Sequence, residues 1–225
     1  MWKAKINAYK IQSDKLSKIT EQLLIEKPIT CIVNNDTVIN SFSTPEFRDH
    51  LFYGYLISQY GPQQKFNDIE KDGYTMTLNQ SMIKNVRKGD SHPVKISQVQ
   101  AMMAAFQDKV LLYKETGIAE SAAIVSKEDI RHFADDIDRL FAFYKVLSLA
   151  NESDDWGDNC LIISGKICQR VLEPAIQCGI ALIISRTGMT HSAYQLAEEH
   201  NITCIGFCRG KHFTVYTGKN LITDG

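Results

Sequence analysis

The sequence predicts an α/β protein with a smaller β-rich region at its N-terminus. Two observations carry that expectation. From about residue 120 onward, short apolar runs alternate with amphipathic stretches, the pattern of parallel strands covered by helices. Before residue 95 the chain shows strand-like runs broken by turn pairs, with one helical stretch. The expected division is a β-rich subdomain at 1–94 and an α/β domain at 95–225. A chain of 225 residues buries roughly three quarters of its unfolded surface, enough for a large core.

The elements follow in order. Residues 3–11 alternate weakly, and residues 30–33 and 37–42 flank Asn34-Asn35-Asp36, a hairpin turn. Thr44-Pro45-Glu46 reads as a helix start, an N-cap followed by proline at the first helical position. Phe47, Leu51, Phe52, Tyr55 and Leu56 then share a face, and Gly61-Pro62 stops the helix. Asp72-Gly73 marks a second hairpin between residues 67–71 and 74–79. Residues 80–94 carry Lys84, Arg87, Lys88 and Gly89 with few apolar side chains, and read as a mobile loop.

Val99, Met102, Met103, Phe106, Val110 and Leu111 recur at helical spacing, so a helix spans 97–114 and ends at Thr116-Gly117. A strand at 120–125, a helix at 135–149 and an acidic loop at 151–159 come next. Asp135, Asp136 and Asp138 read as solvated acids at that helix start, where they suit the dipole. Strands at 160–163, 180–184 and 203–207 alternate with helices at 167–178 and 190–200, and a last strand covers 212–217.

Composition excludes several functions. The chain has 25 basic and 26 acidic residues, a formal net charge of −1. That argues against a general nucleic-acid binder, which needs a basic excess or stripe. The start, Met-Trp-Lys-Ala-Lys-Ile-Asn, carries no apolar targeting run, and the apolar run at 180–184 is too short for a bilayer. The expectation is a cytoplasmic protein with no membrane partner. Cysteines stand at 31, 160, 168, 178, 204 and 208 with no C-x-x-C pair. Zinc-ribbon and thioredoxin-type sites are therefore excluded, and reduced thiols are expected. The G-x-G-x-x-G and P-loop fingerprints are also missing.

In open α/β sheets, ligands sit outside the carboxyl ends of the strands. Three loops there are candidates: Ser164-Gly165-Lys166, then Ser185-Arg186-Thr187-Gly188-Met189-Thr190-His191, then Phe207-Cys208-Arg209-Gly210-Lys211-His212; a fourth candidate, Thr116-Gly117, precedes a strand instead. Small residues let the backbone approach a ligand, helix starts favour anions, and the cations add charge. An anionic ligand, a phosphate or nucleotide, is the sharp reading. The plain alternative is turn chemistry with solvated cations. Cys168, beside Lys166 and Arg170, and Cys208, beside Arg209, sit where a thiol pKa falls. They are the candidate reactive thiols, and the other four read as buried and inert.

Together these loops resemble the formate dehydrogenase accessory sulfurtransferases, the FdhD family. Gly206-Phe207-Cys208-Arg209-Gly210-Lys211-His212-Phe213-Thr214-Val215-Tyr216-Thr217 looks like the family's GFxRGxxFxVYT. Ser164-Gly165-Lys166 looks like its SGR, and Ser185-Arg186-Thr187-Gly188-Met189-Thr190 like its SRSAPT. The resemblance implies a cytidine-deaminase-like fold, a three-layer α/β/α mixed sheet, with residues 95–225 as the cofactor-binding domain. It also implies a cytoplasmic role in molybdenum cofactor sulfuration and maturation. The implied cofactor is molybdenum bis(molybdopterin guanine dinucleotide) or a guanine nucleotide, held by residues 207–212 and the two other loops. The implied partners are a cysteine desulfurase and a formate dehydrogenase, and a homodimer is the base-rate expectation.

The departures are specific. The family's Cys-Gly-x-Cys-Gly loop falls where residues 78–89 carry no cysteine. A persulfide needs a thiolate, so Cys208 or Cys168 would have to replace it. TGGxHA becomes Thr116-Gly117-Ile118-Ala119-Glu120-Ser121, without the histidine. EDVGRHNAxDK becomes the stretch 135–145, which keeps Arg139, Ala142 and Lys145. Phe141, Phe143 and Tyr144, where the family is polar, are core residues or a partner surface. The partner-surface option supports a second reading, a non-catalytic scaffold that binds nucleotide or cofactor.

Overall fold

The computed structural model describes residues 2–63, 65–67 and 69–224. Strands β1 (Lys3–Gln12) and β2 (Lys15–Leu24) form a two-stranded ribbon. Their two-residue turn, Ser13-Asp14, has positive φ at both positions, matching the twist of a tight hairpin. Strands β3 (Lys27–Val33) and β4 (Asp36–Ser43) repeat the device on Asn34-Asn35. Helix α1 (Arg48–Tyr60) follows, then β5 (Glu70–Asp72) and β6 (Thr75–Leu78). These complete a four-stranded sheet in the order β4-β3-β6-β5. The strand expected at 67–71 thus begins at Glu70, and Asp68 lies outside the described residues.

Strand β7 (Val94–Lys95) leads into α2 (Ile96–Lys109) and α3 (Leu111–Thr116). The rest of the chain is β8 (Glu120–Ser126), β9 (Asp129–Asp136), α4 (Arg139–Ser153), β10 (Cys160–Ile163), α5 (Gln169–Gln177), β11 (Leu182–Ser185), α6 (His191–Glu199), β12 (Thr203–Arg209) and β13 (His212–Thr217). A short β14 (Ile222–Thr223) returns to pair with β7. The main sheet runs β13-β12-β11-β10-β8-β9. Its central β10, β11 and β12 are parallel, joined through α5 and α6, and its flanking strands are antiparallel.

Alternation along each strand sorts the two faces. Ala123, Val125, Cys160, Ile162, Ile184 and Ile205 pack on Val99, Met103 and Phe106 of α2. Ala122, Ile124, Leu161, Ile163 and Ile183 face α4, α5 and α6. This is the expected three-layer α/β/α mixed sheet. The second core continues past α4 into Leu51, Phe52 and Leu56 of α1 and Ile29 and Cys31 of β3. Helix α4 is apolar nearly all round because it lies between the sheet and α1. At the crossing, a Cβ on Gly54 would stand 1.7 Å from the Tyr144 carbonyl oxygen, so only glycine allows the approach.

Several local expectations change. The helix from 97 breaks at Val110, and α3 turns away before Gly117 caps it in the left-handed region. Helix α1 starts at Arg48 rather than near Thr44, because Thr44 is buried against Asp136 and caps nothing. The stretch read as helix from Asp135 begins as the end of edge strand β9. Asp135 and Asp136 are therefore buried, not solvated; only Asp138 caps α4, accepting from the Leu140 N–H at 2.7 Å. Phe141, Phe143 and Tyr144 are all buried, so they build core and offer no partner surface. Residues 80–93 form no helix or strand, yet they are tied down. The Asn85 N–H donates to the Tyr60 carbonyl at 2.7 Å, and that of Arg87 to the Gln177 carbonyl at 3.1 Å.

Candidate functional site

The carboxyl ends of β10, β11 and β12 lie side by side, and main-chain hydrogen bonds stitch their loops together. The Ile167 N–H donates to the Gly188 carbonyl at 3.1 Å, and the Thr190 N–H to the Ile167 carbonyl at 3.0 Å. The Phe207 N–H donates to the Thr187 carbonyl at 3.0 Å. Ser185, fully buried, donates its hydroxyl to the Gly165 carbonyl at 2.7 Å and accepts from the Thr187 N–H at 3.0 Å. Thr190 caps α6, its hydroxyl accepting from the Ala193 N–H at 3.4 Å. Phe207 has positive φ, and its ring lies against Gly188. Ser185, Thr190 and Phe207 shape the loops and are not among the residues that line the opening.

Above the loops is a cavity of about 490 Å³. Ser164, Gly165, Lys166, Arg186, Thr187 and Arg209 form one side of it. Gly117, from the fourth candidate loop, lines it too, with Ala119 beside it; sequence reasoning missed Arg139 from the start of α4, Glu120 from the start of β8, and Val110, Tyr113 and Ile118 around α3. Gly210 and Lys211 make the β12–β13 turn, His212 opens β13, and none of the three is among the lining residues. The Lys211 carbonyl accepts from Gln100 of α2 at 3.2 Å.

The electrostatics are one-sided. Among the described residues, none of Arg139, Lys166, Arg186 and Arg209 has a carboxylate within ion-pair distance. The Arg186 Nε is buried and has no hydrogen-bond partner. An orphaned buried donor costs about 1–3 kcal/mol until something accepts from it. Arg209 Nε donates to the Arg186 carbonyl at 3.3 Å, which holds that guanidinium over the opening. The helices α4, α5 and α6 all begin at this rim and add the positive ends of their dipoles. Such a cavity is built to accept an anion, and guanidinium forks suit phosphate oxygens. Among the described residues, no cluster of side chains could hold a metal ion.

The thiols are poorly placed for reaction. Cys208 is fully buried under α2, and burial pushes its thiol up to about 11 despite the neighbouring Arg209. Burial likewise raises Cys31 and Cys204 to about 12, and raises Cys160 and Cys178 further still. Cys168 is half-buried at the N-cap of α5. Residues 85–87 pack at the far end of that helix, beside Gln177, away from the cavity.

A second polar cluster braces the cavity from behind. Lys145 and Asp136 are both fully buried, with Nζ and Oδ2 2.5 Å apart. Lys145 also donates to the Thr44 hydroxyl at 2.7 Å, and Ser43 donates to Asp136 at 2.7 Å. Burial lowers the Lys145 pKa, with Asp136 opposing the fall. Burial pushes Asp135 up to about 6, even though it accepts from Ser121 at 2.5 Å. This network fixes the turn from β9 into α4 that presents Arg139.

Comparisons with known proteins bear on the family and the fold. The chain matches the model of the FdhD/NarQ family over residues 66–223. It is 25% identical to the sulfur carrier protein FdhD of Listeria monocytogenes over 252 aligned residues, covering 95% of this chain and 96% of the relative. It is 27% identical to the protein of the same name from Bacillus subtilis, covering 97% of each. A crystal structure described as a formate dehydrogenase accessory protein from Desulfotalea psychrophila superposes with a TM-score of 0.84. That match spans 99% of this chain and all of the other at 15% identity, so it speaks to the fold. The chain belongs to the FdhD/NarQ family.

Proposed function

We propose that this protein is a formate dehydrogenase accessory protein that holds a phosphate-rich cofactor of the molybdopterin guanine dinucleotide type during maturation. The observation that carries the reading is the convergence of Arg139, Lys166, Arg186 and Arg209 on one cavity with no carboxylate paired to any of them. The orphaned Arg186 Nε fits a phosphate oxygen acceptor. When bound, the cofactor supplies the molybdenum centre of the client enzyme. The chain's own contribution is to bind and orient the phosphates. Arg186 and Arg209 offer forks, Lys166 a point charge, and the stitched loops a fixed frame. The client would be a formate dehydrogenase, as the description of the Desulfotalea psychrophila structure suggests. No helix among the described residues is long and apolar enough to cross a membrane.

The reading does not include carriage of sulfur by this chain. Five of the six cysteines are buried, and burial holds their thiols protonated at neutral pH. Guanosine diphosphate, titrated into the full chain by calorimetry, tests the binding. Saturable binding that weakens about tenfold in a folded Arg209→Ala variant is expected, from the loss of one charge-assisted contact. No binding, or unchanged affinity in the variant, would overturn it. A second reading, sulfur carriage as in the named relatives, rests on the half-buried Cys168 with Lys166 and Arg170 nearby in sequence. Incubation with a cysteine desulfurase and cysteine, followed by intact mass, separates the two readings.

A further inference from the structure

The cation cavity contains one carboxylate. Glu120, the first residue of β8, lines it together with the four cations, and one oxygen accepts from the Ser164 hydroxyl at 2.5 Å. Ser164 also accepts from the Ser121 N–H at 2.9 Å, so Ser164 and the start of β8 fix each other. A Cβ built on Gly165 would stand 3.2 Å from both a Glu120 carboxylate oxygen and the Arg139 Cδ. Glu120 is therefore inside the site, beside Arg139, and no cation is bonded to it. A carboxylate accepts hydrogen bonds and cannot donate them. It repels an anion that fills its end of the cavity, and it rewards a ligand that brings N–H or O–H groups there. The wall formed by Val110, Tyr113 and Ile118 is largely apolar, with Val110 buried and Tyr113 and Ile118 about half exposed. An apolar wall beside an acceptor suits a flat heterocycle with a donor edge.

We infer that Glu120 is a specificity-determining residue: it selects phosphorylated ligands whose non-phosphate end is a heterocycle presenting hydrogen-bond donors, and it disfavours bare polyphosphate. The inference rests on the anion-binding reading above. It names the class of ligand, a nucleotide with an amide or amine edge, and the residue that reads it. A guanine ring offers two adjacent donors, a ring N–H and an exocyclic amine, matching the two oxygens of a carboxylate. Hypoxanthine keeps only the ring N–H.

The test is calorimetric titration of the full chain with guanosine diphosphate, inosine diphosphate and inorganic pyrophosphate. The wild type is expected to prefer the guanine over the inosine ligand by about tenfold, the scale of one hydrogen bond to a charged group. Glu120→Gln is expected to erase most of that preference while binding pyrophosphate more tightly. Opposite signs for two ligands are the signature, because a merely structural role in holding Ser164 would weaken all three alike. Parallel weakening of all three ligands in Glu120→Gln would overturn the inference and leave anion binding standing. So would equal affinity of the wild type for the two nucleotides. Absence of any phosphate ligand binding to the wild type would remove the underlying reading and the inference with it.

Discussion

Lys145→Met tests whether the buried pair behind the site is a structural lock. Both charges are fully buried, and the Lys145 ammonium lies 2.5 Å from Asp136 and 2.7 Å from the Thr44 hydroxyl. Methionine keeps the length of the side chain and removes the charge. Asp136 then keeps its bonds from Ser43, the Thr44 N–H and the Ile137 N–H. It loses its ion-pair partner. Removing one member of a buried pair costs about 3–5 kcal/mol, a large share of a typical total of about 5–15 kcal/mol. Adding Asp136→Asn removes the stranded charge and keeps an acceptor oxygen for the Thr44 and Ile137 N–H groups, while the Ser43 hydroxyl turns to accept from the new amide NH2. The double variant should therefore recover about half of the loss. Urea unfolding, read as a shift in midpoint at constant slope, gives each value, and the four-state cycle gives the coupling. A coupling of at least about 1.5 kcal/mol is expected from the range for directly interacting pairs. Additive effects, agreeing within about 0.5 kcal/mol, would refute the lock.

Three further outcomes follow from other residues. Asp135 titrates near 6 in the folded chain, above its usual 3.8. The native state therefore holds a proton there that the unfolded state releases, so this contribution is full below about pH 4 and is lost as pH rises through 6. Asp135→Asn should flatten the stability profile between pH 4 and 7, a change of about 2–3 kcal/mol; an unchanged slope would count against the assignment. In native buffer, maleimide should label Cys168 first and leave Cys208 intact until the chain unfolds, because Cys208 is buried with a raised thiol pKa. Early modification of Cys208 in peptide maps would contradict its placement. At Gly206 an added Cβ would stand 2.6 Å from the Tyr216 ring and 2.7 Å from the Thr187 carbonyl oxygen. Gly206→Ala should then cost about 1–3 kcal/mol by overpacking. A thermal midpoint matching the wild type would show that the loops are less tightly held than described.

The central strands were legible because apolar runs of four or five residues between helical stretches leave few alternatives. The three ligand loops follow from those strands, since loops at the carboxyl ends of parallel neighbours meet in space. Other features were hidden for physical reasons. The ribbon strand β2 is polar and exposed on most positions, so it lacks the alternation of a half-buried strand. The end of β9 looked like a helix start because paired acids suit both settings. Only the tertiary position of Lys145, a turn and a half into α4, reveals that Asp136 is its buried partner. Arg139 and Glu120 escaped notice as site residues because each opens an element far from the three loops in sequence. Arg139 had one available signal, its place within the family-like stretch at 135–145. Glu120 had none. The thiol of Cys208 shows the limit of local charge reasoning: a neighbouring arginine matters less than removal from water.

The most direct test of the cation cavity is protection of its arginines from a dicarbonyl reagent, mapped residue by residue by peptide mass. The full chain would be modified with and without saturating guanosine diphosphate. Arg139, Arg186 and Arg209 should be protected together, while Arg131 and Arg170, which lie outside the cavity, should react equally in both samples. Protection confined to those three is the predicted result. Unchanged modification of Arg186 and Arg209 in the presence of ligand, or protection centred on Arg170, would contradict the account.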